Sequence, residues 1–294
     1  MIHQMQLQPE PFGMIRSGRK TIELRLYDEK RQRIRPGDSI EFTCIEGHEP
    51  SYTARVKAIH LYDDFRALYR SLPLLLCGYT RENIARADYR DMEAYYSPAQ
   101  QRQYGVVGIQ LESPRRNDPL TRASRFLSMV LRHRPQAAGI ALDRFGWAEV
   151  EPLLRGMPSS HALTREQLET IVRDDEKQRY AFNDDHTRIR ANQGHSVPVE
   201  VELMECQPPE VLYHGTAEVH RNAILQKGLL SGSRLYVHLS PDVETAKMVG
   251  LRHGTPVVFT VDSGAMCRDG IPFYRSANGV WLTHYVPTNY LALL

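Results

Sequence analysis

The stretch Leu131-Arg132-His133-Arg134-Pro135 sets two guanidinium groups beside an imidazole. It closes an amphipathic helical pattern in which Phe126, Leu127, Val130 and Leu131 recur at helical spacing. Arginine presents a rigid fork of donors that matches a phosphate, and histidine passes a proton near neutral pH. Together they point to phosphate chemistry. Basic residues at a helix C-terminus also meet its dipole favourably, so on spacing alone a purely structural role stands equally. A second cluster is Arg188-Ile189-Arg190-Ala191-Asn192-Gln193-Gly194-His195-Ser196. If Ile189 points inward, period-two alternation puts Arg188 and Arg190 on the opposite face, and Gly194 opens a turn rich in polar groups. Solvent-facing hairpin arginines are the plain alternative.

Tyr213-His214-Gly215-Thr216 reads as a strand end followed by a helix cap at Thr216, where free backbone N–H groups favour an anion. Such junctions are also ordinary connections. From Leu235 to Ser240, alternation puts Tyr236, His238 and Ser240 on one face, which would line a nucleotide pocket beside His214. Asn278-Gly279-Val280-Trp281-Leu282 adds a tight turn, and Gly250-Leu251-Arg252-His253-Gly254 a further arginine. No P-loop signature, dinucleotide-binding glycine fingerprint, zinc-hydrolase motif or serine-hydrolase elbow occurs. The cysteines, at 44, 77, 206 and 267, are too far apart for a zinc-ligand spacing or a dense disulfide framework.

These side chains need elements to position them, and 294 residues suffice for two domains or three smaller lobes. With 41% hydrophobic and 24% charged residues the chain falls in the globular class, which excludes collagenous and disordered types. Its apolar runs, such as Leu72 to Cys77, are too short to cross a bilayer. No secretory leader is readable, so a cytoplasmic location is expected. The 37 basic and 35 acidic residues leave a net charge of +2, which excludes the field of a bulk nucleic-acid binder and makes any polyanion site local. Arginine supplies 31 of the 37 cations, a choice that suits phosphate and that codon bias explains as well.

Seams at Glu112 to Pro119 and at Glu205 to Glu210 predict domains over 1–113, 114–207 and 208–294. In the first, helices over Pro11 to Ser17 and Asp64 to Leu72 join strands at Thr21 to Leu26, Asp38 to Thr43, Tyr52 to Ile59 and Gly105 to Leu111, suggesting a small barrel. In the second, Asp118-Pro119 starts a helix that Pro135 ends, Thr164 and Gln167 have capping-box spacing, and Arg179 to Asn183 with Thr187 to Ala191 form a hairpin wing. The third mixes strands at Val211 to Tyr213, Leu235 to Leu239 and Pro256 to Val261 with helices capped at Thr216 and Ser240. The fold class is α+β.

Taken in order, L-R-H-R-P, R-I-R-A-N-Q-G-H-S, Y-H-G-T, H-L-S, G-L-R-H-G and N-G-V-W-L resemble the RNA 2'-phosphotransferase family over residues 120 to 294. The resemblance implies a winged-helix RNA lobe followed by an ADP-ribosyltransferase-like NAD lobe. It implies removal of an internal RNA 2'-phosphate, as left by some tRNA ligases, with NAD as co-substrate and no metal. In the implied reaction the 2'-phosphate attacks the anomeric carbon of the nicotinamide ribose, expelling nicotinamide. The neighbouring 2''-hydroxyl then attacks phosphorus, giving 2'-OH RNA and ADP-ribose 1'',2''-cyclic phosphate. By position, Arg132, His133, Arg190 and Arg252 match the catalytic set, and His214, Gly215, Thr216, His238 and Ser240 match the NAD side, with Val280 where many ADP-ribosyltransferases place a glutamate. Arg134, Asn192, Gln193 and His195 are the expected RNA-phosphate contacts. The alternatives are transfer of ADP-ribose to a terminal phosphate or another acceptor, or an RNA- or NAD-binding protein without catalysis.

Residues 5 to 111 resemble the ASCH domain, a PUA-like β-barrel associated with RNA, through Pro11-Phe12, the run from Gly18 to Arg25, and Pro36-Gly37-Asp38. The resemblance puts Lys20, Glu23 and Arg25 at the cleft and implies RNA binding, with hydrolysis by a lysine and a carboxylate as the lesser alternative. The expected partner is RNA bearing an internal 2'-phosphate, tRNA-like in kind. Neither a membrane nor an obligate protein partner is readable.

Overall fold

The computed structural model describes residues 1–45, 50–113, 119–175, 177–200 and 203–294. It divides into two units. One comprises Met1–Arg116, Thr216–Glu218 and Lys247–Val257; the other comprises Asn117–Gly215, Val219–Ala246 and Val258–Leu294.

The N-terminal elements are β1 (Ile2–Leu7), α1 (Pro9–Ser17), β2 (Ile22–Leu26), β3 (Ser39–Cys44), β4 (Tyr52–Tyr62), α2 (Phe65–Ser71), α3 (Pro98–Tyr104) and β5 (Val106–Leu111). Pro9 suits the first turn of α1, and Gly18 ends it in the left-handed conformation at φ 76°. The five strands form one sheet in the order β1-β3-β4-β5-β2, with β1 parallel to β3. Strand β4 serves both halves, pairing first with β3 and then with β5 across an irregularity between Val56 and Ala58. An irregularity of this kind bends a strand. Because β1 and β2 remain edges, the expected barrel is an open half-barrel. Strand β1 is absent from the sequence expectation because His3, Gln4 and Gln6 mask its pattern. Its Met5 and Leu7 pack with Phe12, Ile15, Ile40 and Phe42.

The next elements are α4 (Pro119–Arg132), β6 (Trp147–Glu149), α5 (Val150–Gly156), α6 (Arg165–Arg173), β7 (Tyr180–Phe182) and β8 (Arg188–Ala191). Helix α4 buries Leu127, Val130 and Leu131 and stops three residues before Pro135, as its stripe predicts. The proposed cap at Asp118 lies outside the described residues. The capping box of Thr164 and Gln167 forms at α6. The hairpin β7-β8 forms too, and β6 adds to the other side of β8, so this sheet has three strands where the sequence showed two. Ile189 is fully buried in the core with Leu127, Leu153 and Leu168.

The remaining elements are β9 (Met204–Glu205), β10 (Leu212–Ala217), α7 (Arg221–Lys227), β11 (Leu229–Leu230), β12 (Val237–Leu239), α8 (Val243–Gly250), β13 (Pro256–Val261), α9 (Ser263–Arg268), β14 (Tyr274–Arg275), β15 (Trp281–Thr283), β16 (Tyr285–Val286) and β17 (Leu291–Leu293). They make sheets β10-β13-β17, β12-β15-β14-β9 and β11-β16. Two expected caps are corrected. Thr216 lies inside β10, buried with Ala217, and α7 begins at Arg221 after a short 3-10 turn. Ser240 instead pairs its backbone with Tyr213, and Asp242 holds the first turn of α8 by accepting from Thr245 N at 2.7 Å. Among the described residues no helix is long and apolar enough to cross a membrane.

Candidate functional site

Arg132 closes α4, and its side chain lies against the loop from Gln193 to Ser196 that follows β8. Gly194 takes φ 87°, and a Cβ there would stand 3.7 Å from the Arg132 Cδ, Nε and Cζ atoms. Glycine therefore supplies the left-handed turn, while the arginine lies at ordinary contact distance beside it. Ser196 N donates to Arg132 O at 2.9 Å, and Ser196 Oγ is 2.9 Å from His133 Nδ1. Helix end and loop are thus tied at two points. Nε and NH2 of Arg132 are buried without a hydrogen-bond partner, and burial pulls the guanidinium below its ordinary value. A buried donor left this way needs a ligand or solvent to satisfy it.

His195 is buried, with neither ring nitrogen hydrogen-bonded. Burial first, then Arg132, His133 and Arg190, push its pKa down to about 4. His133 is exposed at the helix end, and its pKa is lowered by partial burial and by Arg132, Arg234 and Arg134. Arg190 faces Trp147 across β6 and β8, its guanidinium carbon 4.5 Å from the indole ring centre. Arg188, next but one along β8, is engaged with Glu149 at 2.9 Å and Asp143 at 3.6 Å. The two arginines on one strand thus differ in kind: one is held by carboxylates and the other by an aromatic face.

His214 and His238 meet through the backbone. His214 Nδ1 donates to His238 O at 3.1 Å, and His238 Nδ1 donates to Tyr236 O at 3.0 Å. Burial pushes the His214 pKa down. Burial, then Arg234 and Arg132, push that of His238 down to about 3. A neutral His238 with its proton on Nδ1 has an acceptor at Nε2, which lies 2.8 Å from the Gln193 side-chain amide at Oε1. Turning that amide by 180° makes its nitrogen the donor. Gln193 and His238 share a cleft with Gly194, His195, Tyr236 and Leu282. Gly215 serves packing, since a Cβ there would stand 1.7 Å from Ala246 O on α8.

The other expected residues spread out. Asn192 is buried and donates to Gln178 O at 2.6 Å, while Arg134 is exposed past the helix end. Val280 is half-buried in the turn after β14, its N–H donating to Ser276 Oγ at 3.1 Å. Ser240 is half-buried beside Tyr213, and Arg252 is exposed in the turn after α8. In the other unit, Glu23 is buried between Lys20 Nζ and Arg25 Nε, each 2.9 Å away, and Arg25 also donates to Tyr96 Oη at 3.3 Å. Among the described residues no group of three or more histidine, cysteine or acidic side chains is placed to hold a metal.

Two contributors escaped the sequence reading. Trp147 lies 43 residues before Arg190 and no spacing rule joins them; Arg234, two residues before Tyr236, had only its charge as a signal. No carboxylate is among the groups that shift His133, His195 or His238. An excess of cations around neutral imidazoles suits an anionic ligand.

Residues 118–285 match the family model described as RNA 2'-phosphotransferase, Tpt1 / KptA family. The chain belongs to that family. The RNA 2'-phosphotransferase match leaves the N-terminal part, where residues 5–115 match the ASCH domain. A probable RNA 2'-phosphotransferase of Trichormus variabilis is 48% identical over 172 residues, 58% of this chain and 94% of that protein. One from Flavobacterium johnsoniae is 49% identical over 169 residues, 57% of this chain and 93% of that protein. Protein PF0455 from Pyrococcus furiosus, solved in solution, is 35% identical over 39% of this chain and 98% of its own, with a TM-score of 0.32.

Proposed function

We propose that the chain is an NAD-dependent RNA 2'-phosphotransferase with an RNA-binding ASCH domain, working in the cytoplasm on tRNA-like RNA. In this reading residues 1–113 are the ASCH domain, 114–207 a winged-helix RNA lobe and 208–294 an ADP-ribosyltransferase-like lobe. The observation that carries it is the meeting of Arg132, His133 and His195, with Arg190 acting electrostatically on His195 and no carboxylate among the groups that shift either histidine. A phosphate monoester supplies the missing charge.

Arg132 and Arg190 hold the 2'-phosphate, and Arg252 is assigned to the reaction by its match to the family pattern alone. The unpartnered nitrogens of Arg132 and the seat of Arg190 over the Trp147 ring suit that task. Neutral His214 and His238 suit the hydroxyl-rich ribose, and their lack of charge leaves the cationic field to the phosphates. Gly215, Thr216, Ser240 and Val280 complete this side by position. NAD, as co-substrate, would supply an activated ribose: the phosphate oxygen bonds to its anomeric carbon as the bond to nicotinamide breaks and nicotinamide leaves. The acceptor is already anionic, so no general base is needed there. When phosphorus is attacked, Arg132 and Arg190 stabilise the charge that builds on it. His133 then protonates the departing RNA oxygen, with Ser196 Oγ holding Nδ1 so that Nε2 faces outward as the donor. Gln193 keeps His238 oriented; Arg134, Asn192 and His195 act on the RNA phosphate directly or through their neighbours. Lys20, Glu23 and Arg25 form the ASCH cleft that meets RNA.

The test is incubation with NAD and an oligonucleotide carrying one internal 2'-phosphate. Conversion to 2'-OH RNA with ADP-ribose 1'',2''-cyclic phosphate is expected. Persistence of the 2'-phosphate without any ADP-ribosylated RNA defeats the reading. Arrest of the wild type at ADP-ribosylated RNA would favour a simple ADP-ribosyltransferase.

A further inference from the structure

Three rings gather outside the hydrophobic core on one sheet face. Tyr236 lies 5.7 Å from Tyr274 and 4.8 Å from His284, and Tyr274 lies 5.8 Å from His284, between ring centres. Strand register explains the gathering. His238 and Tyr274 both pair with Leu282, from opposite sides of β15. Residues two positions along, Tyr236 before β12 and His284 after β15, therefore share their face. Both tyrosines are half-buried, His284 is exposed, and none of the three belongs to the core.

Tyr236 also lines the cleft with Gln193, His195 and His238. The rings thus extend the cleft floor outward by two residues, roughly 7 Å, from His238. Packed this closely, they leave no slot for a planar ligand between them, so a ligand ring must stack on their outer surface. The occupant has to reach from that surface to the histidines of the cleft and to Arg132 beside Gly194, joining a flat ring to an anion through an extended backbone. A single-stranded nucleic acid has that form, and stacking of bases on exposed aromatic rings is a general means of holding one. The surrounding cations suit its backbone.

We propose that Tyr236, Tyr274 and His284 form a stacking platform for an unpaired RNA base next to the 2'-phosphorylated nucleotide. This rests on the proposed RNA substrate and narrows it: the flanking base is presented unpaired.

The experiment uses the full chain and a 2'-phosphorylated oligonucleotide with 2-aminopurine at the flanking position. Binding quenches the fluorescence of the wild type, and Tyr274→Ala and His284→Ala weaken binding about five- to thirtyfold with loss of the quench. Tyr274→Phe keeps it, which separates loss of the ring from loss of the fold. An abasic flanking position abolishes the difference between wild type and variants, and KM for NAD stays within twofold. Absence of quenching in the wild type, equal binding by the alanine variants, or a rise in KM for NAD instead overturns the platform. Quenching that depends on the rings without phosphate transfer would retain it and defeat the reaction proposed above; transfer without quenching would do the reverse.

Discussion

Arg190 and Trp147 face one another across β6 and β8, with the guanidinium carbon 4.5 Å from the centre of the indole ring. The indole face holds the guanidinium through a cation–π contact worth about 0.5–2 kcal/mol.

Arg190→Ala should therefore accumulate ADP-ribosylated RNA, because its charge matters most when phosphorus is attacked. Trp147→Ala should slow the same half-reaction by about two- to thirtyfold, and Trp147→Phe by less. Single-turnover assays that resolve the two halves check this; wild-type levels of the intermediate in Arg190→Ala would remove Arg190 from the second step.

The field at His133 gives a pH signature. Its folded pKa lies below the ordinary value of about 6.5, through burial and the cations Arg132, Arg234 and Arg134. The protonated fraction of the free enzyme is thus lost, as pH rises, earlier than for an ordinary histidine. Arg134→Ala should raise the midpoint. NMR titration of the imidazole reads it directly, and an unchanged or lower midpoint would contradict the proposed field.

His195 couples stability to acid. Its folded pKa of about 4 lies below its unfolded value of about 6.5, so the unfolded chain binds more protons between them. Stability contributed by the neutral ring is complete above about pH 6.5 and lost as pH falls toward 4. His238, at about 3, adds in the same direction. Denaturant unfolding at several pH values should show a shallower acid loss for His195→Leu than for the wild type; equal slopes would mean that His195 does not carry the effect.

Glu23 is the hinge of the ASCH trio. Glu23→Ala leaves Lys20 and Arg25 without their shared carboxylate and should cost about 3–5 kcal/mol, whereas replacing all three by apolar residues should restore much of it. Urea unfolding decides between this and a trio that contributes little, for which the single variant would cost less than about 1 kcal/mol.

Much of the site was legible as local pattern. Alternation from Arg188 to Ala191 sent Ile189 inward, helical spacing in α4 brought Arg132 and His133 to its end, and the ordered motifs pointed to the family that the chain matches. Where the reading failed, the cause was long-range. Thr216 looked like a cap because Ser and Thr favour helix starts, but its burial within β10 overrides that preference.

The +2 net charge and arginine-rich composition determined only that any anion site had to be local. Sequence periodicity determined which side chains share a strand or helix face, since that follows from backbone geometry alone. Tertiary structure decided which faces meet: Trp147 beneath Arg190, Gly194 beside Arg132, Ala246 against Gly215, and Tyr274 and His284 beside Tyr236. Those encounters depend on sheet register and on helix ends packed against loops, which bring together residues that are tens of positions apart and that no local spacing relates.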